Sequence, residues 1–122
     1  MKKFRLIIVT VLLCAVTATC SAFELDRTRW QNLANVNNIE VFYDVNNITK
    51  SGNVAKVWLC YHYKGSDSYR LICKEYTRGG DTTKIVKILD YYSDGTFKRG
   101  SNSVIPNVAF GTNERAMADR LW

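Results

Sequence analysis

One histidine and one proline are all that the 122 residues contain, and no catalytic signature is written among them. There is no GxSxG, no HExxH, no P-loop and no paired-carboxylate pattern, which excludes the signatures of serine hydrolases, zincins and P-loop NTPases. Acidic residues are scattered singly, and nothing in the chain asks for a cofactor or metal. Low-complexity tracts and internal repeats are also missing. Beyond the N-terminal segment, no run reaches the about 20 apolar residues that a membrane-spanning helix needs.

What is present begins at that segment, "MKKFRLIIVTVLLCAVTATCSAFELD". Lys2, Lys3 and Arg5 form a basic start, and Leu6 to Val16 is almost unbroken apolar sequence. Small residues follow, ending Cys20-Ser21-Ala22. This is the layout of a secretory signal. Residues 1–22 are expected to be removed, leaving 23–122 as one small exported domain in the periplasm or on the cell surface. An uncleaved anchor helix is the lesser alternative. Acylation of Cys20, as in a bacterial lipoprotein, is disfavoured because Thr17 and Thr19 stand where an aliphatic and a small apolar residue are usual.

The same cut changes the charge. The whole chain carries 17 basic and 11 acidic residues, net +6. Without Lys2, Lys3 and Arg5 the balance is 14 against 11, net +3. That is ordinary solubility charge and does not point to nucleic acid. It allows weak attraction to acidic glycans or anionic surfaces. Cys14 and Cys20 leave with the signal, so Cys60 and Cys73 remain. Two cysteines in a small exported domain most often pair, because the compartment is oxidising.

From Ile39 the chain reads as strands between turn signals. "IEVFYDV", "VAKVWLCYHY", "YRLICKEYTR", "TTKIVKILDYY" and "FKRGS" are separated by "NNITKSGN", "KGSDS", "GGD" and "SDGT". Strands in succession with short turns predict an antiparallel meander, not βαβ units. "TRWQNL" offers a further strand with Trp30 as a core anchor, and "SNSVI" before Pro106 reads as irregular. At the end, Thr112 is placed as an N-cap, with Glu114 in the first turn where the helix dipole favours an acid. Met117 and Leu121 lie four apart, so a short C-terminal helix is expected, docked on the sheet because it is marginal alone. The fold class is therefore α+β: an antiparallel sheet of five or six strands with a C-terminal helix on one face.

The hairpin "VWLCYHYKGSDSYRLICKEY" holds both cysteines. With Ser66-Asp67 as a two-residue turn, Cys60 faces Cys73 at a separation that a disulfide accepts. The pairing depends on loop length, since a three- to five-residue loop shifts it. A disulfide of Cys60 with Cys73 is expected. His62 shares a face with Cys60, which leaves a Cys–His thiol enzyme as a weak alternative. Two cysteines and one histidine could supply three zinc ligands, but at no recognised spacing. Asn47-Ile48-Thr49 fits a glycosylation sequon, a match frequent by chance.

The same register sorts the faces. Trp58, Cys60, His62, Leu71, Cys73 and Glu75 share one; Leu59, Tyr61, Tyr63, Arg70, Ile72, Lys74 and Tyr76 share the other. Neither is cleanly polar. One must pack the core and the other be covered by the helix or a partner, a second copy in a homodimer included. Tyr61, Tyr63, Arg70, Lys74, Tyr76 and Arg78 form a candidate partner-binding surface, since arginine and aromatics favour interfaces. The plainer reading is basic side chains laying their stems along apolar surface.

"RWQNL", "VFYDVNNITKSGNVAKVWL", the cysteine strand, "YYSDGTF" and "IPN…GTNERAMADRLW" together resemble the bacterial surface-adhesin protein E-like domain. The resemblance spans most of residues 29–122. It implies a small exported sheet of about six strands with a helix against one face, and adhesion to host matrix or epithelial partners. It departs at Arg120-Leu121-Trp122, where family members often carry a tethering cysteine. The helix here would dock by Met117, Leu121 and Trp122. The functional expectation is a non-enzymatic exported binding module for a protein or glycan at the cell envelope or host surface. A small periplasmic inhibitor acting through Lys64 to Ser68 is the alternative.

Overall fold

The computed structural model describes residues 22–122. The expected signal peptide, its cleavage and Cys14 and Cys20 lie outside the described residues. Eight strands and one helix follow in order: β1 Trp30–Val36, β2 Ile39–Asp44, β3 Thr49–Ser51, β4 Val54–Tyr63, β5 Ser68–Thr77, β6 Thr82–Tyr91, β7 Phe97–Ser101, β8 Ile105–Ala109 and α1 Thr112–Leu121. All strand pairings are antiparallel in one sheet ordered β1-β2-β4-β5-β6-β7. No described helix is long and apolar enough to cross a membrane.

The strand count exceeds five or six because both flanks of the sheet are split. Long β4 is bordered by β2 along Leu59–Tyr63 and by β3 along Val54–Lys56. Long β6 is bordered by β7 along Ile88–Tyr91 and by β8 along Thr82–Ile85. β3 falls in the stretch read as turn. β8 falls in the stretch read as irregular, with Pro106 inside it. Pro106 sits at a register shift on an outer strand, where a missing N–H breaks no ladder.

The turns fix the registers. β1 and β2 close over Asn37-Asn38, with Asn37 at φ 54°, and β3 and β4 over Gly52-Asn53, with Gly52 at φ 61°. Left-handed conformations at these positions suit two-residue hairpins, and Asn and Gly tolerate them. Between β4 and β5 the loop has four residues, Lys64 to Asp67, so Tyr63 faces Ser68. The expected two-residue turn is thus replaced by a longer one, and every partner moves two places. Parity is unchanged, so the face assignment stands. The cysteine pairing does not: Cys60 lies opposite Leu71, Cys73 opposite Trp58, and both are free thiols. Diagonal neighbours in an antiparallel pair stand about 7–8 Å apart, beyond the Cα–Cα range of about 4.4–6.8 Å that a disulfide accepts.

Both faces of the sheet are cores. On one, Met117 and Leu121 of α1 pack over Val41, Val57, Leu59 and Tyr76. A bulge at Leu33 turns that residue from β1 into the same cluster. Glu114 holds the helix start: its Oε1 accepts from the Gly111 N–H at 2.8 Å and its Oε2 from Lys74 Nζ at 3.0 Å. Gly111, not Thr112, is the N-cap. Lys50 donates to the Leu121 carbonyl at the other end. Trp122 lies outside that apolar cluster and is 38% exposed.

On the opposite face, residues 22–29 cross the sheet as a strap. Ala22 bridges to Thr96, and the Phe23 N–H donates to the Gly95 carbonyl at 2.7 Å. The Phe23 ring lies 5.8, 5.2 and 5.5 Å from those of Trp30, Tyr69 and Tyr91. With Phe42, Cys60 and Leu71 these form the second apolar cluster. The strap ends in a turn where Asp26 Oδ1 accepts from the Thr28 N–H and hydroxyl, and the Asp26 carbonyl accepts from the Trp30 N–H.

A groove beside the N-terminal strap

The candidate surface read from β4 and β5 does not exist as one surface. Tyr76 is fully buried and Lys74 is 4% exposed, both beneath α1. Lys74 donates to the Tyr61 hydroxyl at 2.9 Å and to Glu114, and its ammonium lies 5.4 Å from the Tyr61 ring centroid. Burial disfavours this charge, but Tyr61 and Glu114 outweigh it and hold the ammonium above the usual lysine range. Burial raises the Tyr76 phenol strongly. Tyr63 is half-buried, its phenol also raised by burial. Arg70 is committed to Asp90, Nε to Oδ1 at 2.7 Å and Nη2 to Oδ2 at 3.1 Å, and Arg99 adds a third bond at 3.2 Å. Arg78 stands apart and exposed in the β5–β6 turn. Five of these six residues therefore divide into a helix-docking contact, an ion pair and a turn residue, and Tyr63 stands half-buried beside Arg70. The sequence left undecided whether the helix or a partner covers this face, because it could not show how much of it α1 reaches.

The thiol–imidazole pair is separated by its own partners. His62 Nδ1 lies 2.8 Å from Glu40 Oε1 and Nε2 lies 2.6 Å from Asp67 Oδ1, while the ring stacks on Tyr69 at 4.7 Å. Both nitrogens are thus engaged away from sulfur. The hydrogen bond to His62 holds the Glu40 carboxyl below its usual range. Cys60 is completely buried, and burial pushes its thiol far up. Cys73 is raised by the same cause. A thiol kept protonated is a poor nucleophile and a poor metal ligand. Among the described residues, no three His, Cys, Asp or Glu side chains converge as a metal site.

An open groove of about 450 Å3 lies beside the strap. That volume is within the range of small-molecule sites. Two rows of side chains on the strap face build it. Trp30 pairs with Asp44 across β1 and β2; Trp58, Cys73 and Lys87 align across β4, β5 and β6. The next row brings Leu71 opposite Leu89. Phe23 and Glu24 of the strap and Asn47 of the β2–β3 turn complete the lining.

At its edge sits Asp44, 1% exposed and bonded on all sides. Its Oδ2 accepts from Arg29 Nε at 2.8 Å, Arg29 Nη2 at 2.6 Å and Asn47 Nδ2 at 2.7 Å; its Oδ1 accepts from the Asn46 N–H at 3.0 Å. Burial pushes this carboxyl up, but the bonds from Arg29, Asn47 and Asn46 outweigh it and keep it below the usual range. Arg29 is raised in turn, chiefly by its bond to Asp44. A carboxylate so held does not exchange protons near neutrality. It fixes Arg29 and Asn47 in place instead. This arrangement supplies shape, aromatic surface and fixed hydrogen-bonding groups, which is equipment for binding.

Sequence reasoning missed Arg29, Asn47 and Lys87 as a group. Trp58 was on the right face, and Asp44 entered only within the stretch "VFYDVNNITKSGNVAKVWL" quoted for the family resemblance. What was not visible was the strap, since "AFELDRTR" has no periodicity to announce that it crosses the sheet. The class defined by the fold is an α+β domain, an antiparallel sheet with one C-terminal helix on one face and a groove on the other. Compared with known protein families, curated proteins and solved structures, the chain matches none.

Proposed function

We propose that this chain is an exported, non-enzymatic binding module of the bacterial cell envelope or surface, capturing a protein or glycan partner through the groove beside the strap. The observation that carries the reading is the combination at one site of aromatic walls with a hydrogen-bonded Asp44–Arg29–Asn47 cluster. Ligand sites are concave, mostly apolar and supplied with a few placed polar groups. The resemblance to the surface-adhesin protein E-like domain supports an adhesive role at the cell surface. The test is capture by the immobilised protein from host matrix extract and from bacterial envelope extract. Capture should fall in Trp58→Ala and Arg29→Ala and persist in Arg78→Ala, whose side chain is remote from the groove. Capture equal in all three variants, or none from either extract, would refute the reading.

One observation favours the inhibitor reading. The exposed Lys64–Asp67 turn is braced at both ends, by the Lys64 N–H on the Asn38 carbonyl at 2.8 Å and by Asp67 on His62. A pre-organised loop loses little entropy on docking into an enzyme cleft. Capture of an enzyme that Ser66→Arg abolishes and Trp58→Ala spares would select this reading.

A further inference from the structure

The binding-module reading leaves the chemistry of the occupant open, and the groove itself narrows it. Its charges cancel: Arg29 and Lys87 are met by Asp44 and Glu24. An anionic ligand would find no excess of positive charge there. Nor is the groove a strand edge that an extended peptide could join, because its floor is formed by paired strands. Two indoles, Trp30 and Trp58, stand beside fixed donors and acceptors. Asn47 spends its amide N–H on Asp44, leaving its side-chain carbonyl to accept. Arg29 spends Nε and Nη2 on Asp44, leaving Nη1 to donate from a side chain 44% exposed. Asp44 stiffens both.

Apolar flat surface bordered by neutral-sum donors and acceptors matches a molecule with an apolar face and a hydroxylated rim. A sugar ring has this form: its C–H face packs on an aromatic ring while its hydroxyls bond outward. We propose that the groove is a subsite for a neutral oligosaccharide, with Trp58 as the stacking platform and Arg29 and Asn47 as the hydroxyl-binding pair. The proposal rests on the binding-module reading and specifies its ligand.

The three tryptophans make the test direct. Trp30 and Trp58 line the groove, while Trp122 lies at the end of α1 beside Arg78. Indole N–H signals are followed by NMR in the folded protein during titration with neutral tetrasaccharides of glucose, mannose, galactose and N-acetylglucosamine. A heparin tetrasaccharide serves as the anionic probe. At least one neutral probe should move the Trp58 and Trp30 signals saturably and leave Trp122 in place. Trp58→Ala should weaken that probe about tenfold, the equivalent of one lost aromatic stack. Trp58→Phe should retain most of the binding. Silence from every neutral probe would overturn the proposal. So would preferential binding of the heparin fragment that Lys87→Gln abolishes. If no saccharide binds while protein capture still depends on Trp58, the ligand assignment fails and the binding-module reading stands. If neither is seen, both fail.

Discussion

The contact of Lys74 with Glu114 predicts a lopsided response to mutation. The Lys74 side chain is 5% exposed and that of Glu114 14%, and the bond between them is 3.0 Å. Replacing Glu114 with Ala strands an ammonium beneath α1 with only the Tyr61 hydroxyl for company. Breaking one side of a buried pair costs about 3–5 kcal/mol. It also removes the acceptor for the Gly111 N–H, a capping loss of about 1 kcal/mol. Glu114→Ala should therefore destabilise by about 4–6 kcal/mol. Lys74→Met keeps the volume and removes the charge. The Glu114 carboxylate loses its partner but is 14% exposed and still accepts from the Gly111 N–H, so the expected cost is smaller, about 1–2 kcal/mol. In the double variant Lys74→Met/Glu114→Ala the stranded charge is gone, and only the capping loss of about 1 kcal/mol remains. Urea unfolding with unchanged slopes measures all three. Equal costs for the two single variants, or a Glu114→Ala cost no larger than a lost cap, would refute the reasoning. Because the folded Lys74 ammonium is held above its usual range, its contribution is complete below about pH 10.4. It fades as pH rises through the higher folded value.

Three further outcomes are expected. Gly95→Ala should destabilise more than Gly52→Ala: both have positive φ, 87° and 61°, but only at Gly95 would a Cβ lie 2.4 Å from the Phe23 carbonyl oxygen. Gly52→Ala should cost about 1–2 kcal/mol for the left-handed backbone alone, and the excess at Gly95, read by thermal unfolding, reports the strap. The Asp44 and Asp90 carboxyls are depressed in the fold, so their stabilisation is present above about pH 3.9 and is lost as pH falls through the lower folded values. Arg29→Ala should cost about 2–3 kcal/mol at neutral pH and move the acid-unfolding midpoint upward, and an unmoved midpoint would count against the Arg29–Asp44 bond. Alkylation without reductant should label Cys60 and Cys73 after unfolding and neither in the native protein; a cross-linked peptide would contradict the free thiols.

Much of the sheet was legible because it rests on local signals. Alternation and turn residues located β2, β4, β5, β6 and β7, and the Met117–Leu121 spacing located α1. Side-chain parity survived an error in the hairpin because the loop lengthened by two residues, and a period of two is blind to that change. The disulfide was lost for the same reason, since opposition of sulfurs depends on register and not on parity. β3 and β8 escaped notice because three to five exposed residues carry no burial pattern. Tyr76 and Lys74 looked like surface because a mixed apolar and basic row reads the same whether open or capped by a helix. The groove could not be seen at all, because its shape depends on a non-periodic segment lying against strands far away in sequence.

The strap and the helix close opposite sides of one sheet, and they are the two ends of the described chain. Partial opening can therefore take two separate forms. Release of the strap bares Trp30 and Tyr91 while α1 remains seated; release of the helix bares Val57 and Tyr76 while the groove keeps its walls. Amide exchange should sort the protein into three cooperative units, two terminal and one central, with the β4–β5–β6 meander the last to yield.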